Sequence, residues 1–250
     1  LKKMKKNSVF LSIICLLYST PTVNSDAIDK SVRQAGIGEL LEMTIPGVTV
    51  RQCSCEEQHQ CVEEIKTDVF DCGDKCFATF QRITSNIHDL KQCIDSKEIV
   101  FNDFVGCVQT NIHACVQNKN GPMIPKHDLL KMFTYAENKV INQRSALLHN
   151  AAIKPIKNVI ETALDFGACI KDCFMAKNSK GFCFDRINCQ PLITEKRAIS
   201  TLKRCIRKLD WKKEAAELCD CSVKAGVTPL ERYCPMLKLM AQSRHRGSHH

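Results

Sequence analysis

The chain has 250 residues, 25% of them charged and 44% hydrophobic, and its 17 cysteines far exceed what a reduced cytosolic enzyme carries. Its 10 glycines and 8 prolines exclude a collagenous or low-complexity chain. The cysteine content predicts a disulfide framework that forms in an oxidising compartment.

The first residues have the pattern of a secretory signal peptide. Lys5 and Lys6 precede an apolar run, and Val23 and Ser25 are small enough for the positions before a cleavage site. The apolar run is roughly ten residues long, whereas a membrane-spanning helix needs about 20. We therefore interpret residues 1–25 as a signal peptide and expect a secreted, extracellular chain without a transmembrane segment.

Sixteen cysteines remain after residue 25, and this even number permits eight disulfides. They fall into two groups of eight, separated by 53 residues without a cysteine. We predict two four-disulfide units with bridges mainly inside each unit, and the 105 pairings within each unit stay open. The first group is Cys53, Cys55, Cys61, Cys72, Cys76, Cys93, Cys107 and Cys115, and the second is Cys169, Cys173, Cys183, Cys189, Cys205, Cys219, Cys221 and Cys234.

Charge divides the chain in the same way. Residues 26–115 hold 15 acidic and 8 basic side chains, whereas residues 116–250 hold 12 acidic and 24 basic ones. Such an asymmetry bears on association rather than on fold. The predicted organisation is a signal peptide (1–25), an acidic N-terminal unit (26–118), a helical connection (119–165), a basic C-terminal unit (166–242) and a tail (243–250).

Hydrophobic periodicity is helical along nearly the whole chain, apart from an extended piece at Thr44–Val50. One long helix is predicted over 129–147, with Pro125 near its start, and another over 156–173. Two cysteines four residues apart share a helix face but lie too far apart to bridge each other, so each must bridge to a neighbouring helix. The predicted fold is therefore all-α, with antiparallel helices stapled laterally by disulfides.

The C-x3-C-F motif occurs twice, once in each cysteine group. It begins at Cys72 and again at Cys169, 97 residues later. The two copies are either the trace of a duplication, which would make the two subdomains related, or a coincidence.

Motifs for catalysis are absent from the sequence: it has no G-x-S-x-G elbow and no phosphate-binding glycine loop. The pairs His88–Asp89 and His127–Asp128 lack the flanking cysteines and glycine-rich loop of a secreted phospholipase. Zinc ligands prefer a wider spacing than the C-x-C pair at Cys53. We expect no catalytic residues, metal, cofactor or nucleic-acid partner. A small secreted hydrolase with a site assembled from scattered residues, and a carrier of an apolar ligand, remain as alternatives.

Residues 194–214 carry eight basic and only three acidic side chains. On a helix, six of the basic residues would form two adjacent rows opposite an apolar stripe. We predict that this basic helix binds an anionic extracellular partner, either a sulfated glycan or an acidic protein. The alternatives are a solvated amphipathic helix and docking against the chain's own acidic half. The first row is Lys196, Lys203 and Arg207, the second is Arg197, Arg204 and Lys208, and Lys212 and Lys213 complete the set.

The spacing of the cysteines resembles that of secreted cysteine-rich helical proteins of nematodes, in particular the chondroitin proteoglycan 4-type domain. This resemblance implies a secreted, non-enzymatic helical module. The family name also implies chondroitin chains on Ser-Gly sites, and this chain has no Ser-Gly dipeptide. The matching residues are Cys72, Cys76, Cys93, Cys107 and Cys115, with a looser echo from Cys169 to Cys205.

Overall fold

The computed structural model describes residues 36–242, apart from the side chains of residues 145–147 and 152. The predicted signal peptide (1–25) and tail (243–250) lie outside the described residues.

Helices dominate the described chain, and disulfides join them side by side, so the predicted all-α, disulfide-stapled fold is confirmed. The 3₁₀ helices are short and follow or connect α-helices. The α-helices are α1 (Ile37–Leu41), α2 (Cys55–Cys76), α3 (Ile87–Asp95), α4 (Glu98–Ile112), α5 (Leu129–Leu148), α6 (Lys157–Lys177), α7 (Cys183–Arg186), α8 (Glu195–Lys208), α9 (Trp211–Lys224) and α10 (Cys234–Gln242), and the 3₁₀ helices are Phe77–Arg82, Ala151–Ile156 and Thr228–Leu230.

A small sheet joins residues 44–52 to two later segments of the chain. Its strands are β1 (Thr44–Gln52), β2 (Met123–His127) and β3 (Cys189–Gln190), with β1 in the centre, antiparallel to β2 and parallel to β3. The extended piece predicted at Thr44–Val50 is confirmed as most of β1.

The long helix predicted over 129–147 is confirmed as α5, but the role expected for Pro125 is wrong. Pro125 lies inside β2, where its missing N–H is tolerated because β2 is an edge strand. The Asp128 side chain instead accepts the backbone N–H of Lys131 at 3.0 Å, which stabilises the first turn of α5.

Helix α2 begins with a capping box that also anchors β1. The Ser54 hydroxyl accepts the backbone N–H of Glu57, and the Glu57 carboxylate accepts the backbone N–H of Ser54. Both oxygens of Glu57 accept hydrogen bonds from the Arg51 guanidinium, at 2.8 and 2.9 Å. These bonds from Arg51, helped by those from Ser54, outweigh burial and lower the pKa of Glu57 to about 2.

Helices α2 and α6 lie antiparallel and are joined by two disulfides. Cys72 pairs with Cys173, and Cys76 pairs with Cys169. The two C-x3-C-F motifs are therefore bonded to each other, the first cysteine of one to the second of the other. Each pair is spaced by four residues, so both bridges leave the same face of each helix.

The prediction that disulfides lie mainly within each cysteine group is wrong. All 16 cysteines after residue 25 are paired, but only Cys55–Cys115 and Cys219–Cys234 stay within a group. The reason is that helices of the second half pack against helices of the first, with α6 on α2, α9 on α3 and α8 on α4. The pairing is incompatible with two separately closed four-disulfide units. The bridges that join the groups are Cys53–Cys189, Cys61–Cys183, Cys72–Cys173, Cys76–Cys169, Cys93–Cys221 and Cys107–Cys205.

The main core lies where α2, α3, α6 and α9 meet, around the crossing disulfides. Phe166 is fully buried on α6, and its ring packs against Phe80 and Phe77 with centroids 4.7 and 6.0 Å away. A second ring cluster joins Phe133 of α5 to Phe174 and Phe182. Aromatic side chains from both halves of the sequence therefore form one continuous apolar interior.

The connectivity predicts the behaviour of a cut chain. A protease site inserted between the exposed residues Asn118 and Lys119 would separate the two cysteine groups along the backbone. Since six bridges cross the cut, we expect the cleaved protein to migrate as one species without reductant and as two fragments after reduction. Two fragments in the absence of reductant would contradict the crossing pairing.

Glu57 should contribute measurably to stability, because its carboxylate accepts hydrogen bonds both from Arg51 and from the backbone at the start of α2. We expect Glu57→Gln to lower the free energy of unfolding at neutral pH by about 1–3 kcal/mol. The neighbouring Glu56 is exposed, and Glu56→Gln should have an effect below about 0.5 kcal/mol.

The stability difference between the wild type and Glu57→Gln should depend on pH. Because the pKa of Glu57 is depressed in the folded state, its contribution is complete above the ordinary value of 4.5 and is lost as the pH falls towards 2. Urea unfolding of the wild type and Glu57→Gln should therefore converge between those pH values. A gap that stays constant down to pH 2 would contradict this role.

Candidate anion-binding surface

The basic segment is not one helix, contrary to the prediction for 194–214. Helix α8 ends at Lys208, and Leu209 adopts an extended conformation. Asp210 then begins α9, where its side chain accepts the backbone N–H of Lys213 at 3.4 Å. Asp is a preferred N-cap residue, so its position before Trp211 was a signal in the sequence for a new helix.

Helix α8 is fixed to α4 through a buried face formed by Ala198, Thr201 and Cys205, and Cys205 is bonded to Cys107 of α4. The other members of the apolar stripe predicted for this helix are only partly buried, namely Ile199, Leu202, Ile206 and Leu209. Glu195 in the first turn and two basic residues in the last turn suit the helix dipole. Since the buried face and the disulfide fix the rotation of α8 about its axis, they also determine the directions in which its two basic rows project.

Asn111 of α4 connects the two helices beside this disulfide. Its side-chain NH₂ donates to the Cys107 carbonyl at 2.7 Å, and its side-chain oxygen accepts from Arg204 Nη1 at 2.7 Å. Its backbone carbonyl accepts the Thr201 hydroxyl at 3.2 Å. At helical spacing Val100, Phe104, Cys107, Asn111 and Cys115 share one face, on which Asn111 is the one polar residue, and this exception was the available signal in the sequence for its role.

The second basic row turns towards the end of α4. Arg197 Nη1 donates to the backbone carbonyl of His113 at 2.9 Å, and Arg204 reaches Asn111. His113 ends α4 in the left-handed conformation, with φ of 46°. A cation at a helix C-terminus is favourable, since the last carbonyls carry partial negative charge. Arg197 and Arg204 therefore help to hold the fold together.

The first basic row lies opposite the buried stripe. At 100° per residue, Lys196, Lys203 and Arg207 project to the side of α8 away from Ala198 and Cys205. Lys196 and Arg207 are exposed, and Lys203 is partly buried. Lys208, from the second row, is exposed at the last residue of α8. The structure therefore presents the first row on a helix whose orientation is fixed.

The last two candidates belong to α9 and are separated from the rows by the break at Asp210. Lys212 lies 5.8 Å from the centroid of the Trp211 ring, and Lys213 lies 3.8 Å from Glu217. Glu217 also accepts from Lys97 at 2.6 Å, which lowers its pKa. The surface around Lys213 is therefore of mixed charge.

Other cations meet the acidic half of the chain. Lys177 contacts Asp68 and Asp71 of α2, each at 2.9 Å, and Arg186 pairs with Glu64 of the same helix. One alternative for residues 194–214 was that their cations contact the acidic half of the chain. Contacts of that kind occur instead at the ends of α6 and α7.

The five histidines of residues 36–242 do not form a metal-binding cluster with other side chains. His59, His88, His113 and His149 are exposed, and His127 is partly buried at the end of β2. Within residues 36–242, no three His, Cys, Asp or Glu side chains lie together as a metal site would require. No helix in the same part of the chain is long and apolar enough to cross a membrane.

Comparisons with known proteins give no match: neither a family model, nor a curated protein, nor a solved structure resembles the chain significantly. The resemblance to the chondroitin proteoglycan 4-type domain therefore stays a prediction.

The two arginines that contact α4 should contribute more to stability than exposed lysines of the same helix. Arg197→Met with Arg204→Met removes the hydrogen bonds to His113 and Asn111 but keeps the apolar stems, so we expect the free energy of unfolding to fall by about 1–2 kcal/mol. The matched control, Lys196→Met with Lys208→Met, removes the same charge from exposed positions and should cost less than about 0.5 kcal/mol. Equal losses in denaturant titrations would show that Arg197 and Arg204 have no special structural role.

Proposed function

We propose that this protein is a non-catalytic extracellular module that binds a sulfated glycan through the first basic row of α8. Its eight disulfides fit a secreted extracellular protein. The observation that carries the proposal is the placement of Lys196, Lys203 and Arg207 on one side of a helix whose opposite side is buried and bonded to α4. Helix rotation therefore cannot hide the row from a partner.

The spacing of this row suits an extended polyanion. Lys196 and Lys203 are seven residues apart and Arg207 follows four residues later, so the row extends over about 16 Å at about 1.5 Å per residue. Sulfate groups along a glycan chain offer charges over such a length, whereas a single small anion would engage only one cation. Exposed charges are screened beyond about 8 Å at physiological salt, so this binding requires direct contact and weakens as salt rises.

The test is retention on immobilised chondroitin sulfate and heparin across a salt gradient. We expect the wild type to elute above about 0.15 M salt and the triple variant Lys196→Glu, Lys203→Glu, Arg207→Glu to elute well below it. The control Lys119→Glu, Lys131→Glu, Lys180→Glu changes the net charge equally at exposed lysines elsewhere and should elute close to the wild type.

Two results would refute the proposal. Equal shifts for both triple variants would mean that retention follows net charge, and elution of the wild type below physiological salt would mean that the row is a solvated helix face. Unchanged circular dichroism and unchanged non-reducing migration are required of each variant, so that a loss of retention is not a loss of fold.

A further inference from the structure

A cavity of about 120 Å³ lies between the sheet, the first turn of α5 and α7, and its wall includes none of the eight basic residues of 194–214. Most of its wall is apolar and comes from five separate parts of the chain. The apolar wall includes Leu41 of α1, Val50 of β1, Met132 of α5, Phe184 of α7 and Ile193 of the segment before α8. The disulfide between Cys53 and Cys189 ties β1 to β3 beside it, so the cavity is formed without a partner.

Most polar groups in the wall are already satisfied. Lys126 and Asp185 form an ion pair at 2.7 Å. Gln190 accepts the backbone N–H of His127 at 2.8 Å and donates to the carbonyl of Pro125 at 3.4 Å. These groups hold β2 in place and leave little capacity for a charged ligand.

His127 is different. Within residues 36–242, its Nδ1 is the one polar side-chain atom of the cavity wall that is buried without a hydrogen-bond partner. Burial lowers the pKa of His127 below its ordinary 6.5, against an opposing hydrogen bond with the backbone of Met43, so the ring is neutral at physiological pH. A neutral imidazole has one nitrogen that accepts, and an unpartnered buried polar atom calls for an explanation.

We propose that this cavity binds a small one-ring aromatic molecule that carries one O–H or N–H donor, such as a phenol. A dry apolar cavity of about 150 Å³ holds benzene, so a volume of this order admits one ring and little more. Met132 and Phe184 line the cavity, and a thioether and an aromatic ring are side chains that favour contacts with an aromatic ligand. The donor of the ligand would satisfy His127, which a pure hydrocarbon cannot do.

The first experiment compares two probes that differ only in the donor. We expect the full chain to bind phenol saturably with one-to-one stoichiometry in calorimetry or ligand-observed NMR, about fivefold to tenfold more tightly than benzene. His127→Leu should remove that preference while benzene still binds. Absence of saturable phenol binding up to about 10 mM, or an equal preference in the wild type and His127→Leu, would overturn the proposal.

The second experiment locates the site. Leu41→Phe extends a larger side chain into the cavity and should weaken both probes about tenfold or more. Leu237→Phe makes the same change at a half-buried leucine of the main core and should leave binding unaltered. Equal binding to all three proteins would place the probes elsewhere and refute the cavity as the site. If Leu41→Phe does not fold, the comparison of phenol with benzene binding in the wild type and His127→Leu still tests the proposal.

Discussion

Two disulfides one helical turn apart, Cys72–Cys173 and Cys76–Cys169, fix α2 against α6 in antiparallel orientation. The rest of the molecule depends on this pair, because the residues that follow Cys76 and precede Cys169 are thereby brought face to face. Phe77 and Phe166 meet there as the centre of the main core. Farther along the same two helices, Lys177 reaches the carboxylates of α2. One covalent register therefore sets both the apolar interior and the ion pairs at its edge.

Local features of the fold could be predicted from the sequence because they depend on neighbours along the chain. Periodicity located α5 and β1, and cysteines four residues apart indicated a shared helix face and hence bridges between helices. The pairing could not be predicted. Spacing identifies which cysteines share a face, but a partner is chosen by how distant helices fold back. Cys93 pairs with Cys221, 128 residues away, and nothing local to either residue indicates the other.

The candidate surface was predictable to the same extent. The two rows of α8 follow from helical geometry, but only the first lies opposite the buried face of the helix, and Arg197 and Arg204 of the second turn towards α4. The sequence pattern could not show which of these cations form hydrogen bonds within the protein. Arg197 and Arg204 stabilise the end of α4 only because Cys107–Cys205 brings that end within hydrogen-bond distance. A row of cations on an isolated helix has no such neighbour, so the cations that stabilise the fold cannot be distinguished from the others until the position of α4 is known.

The crossing pattern also governs the order in which the protein can mature. Synthesis proceeds from the N-terminus, and until residue 169 has emerged Cys55–Cys115 is the one native bridge that the growing chain can close. Six other cysteines of the first half must wait as thiols, or pair wrongly and exchange later, because their partners have not yet been made. Exchange of this kind requires attack by a thiolate on an existing disulfide. Correct maturation therefore requires that disulfides can still form after the second half has been made, and any early mispairing must be reversed by such exchange.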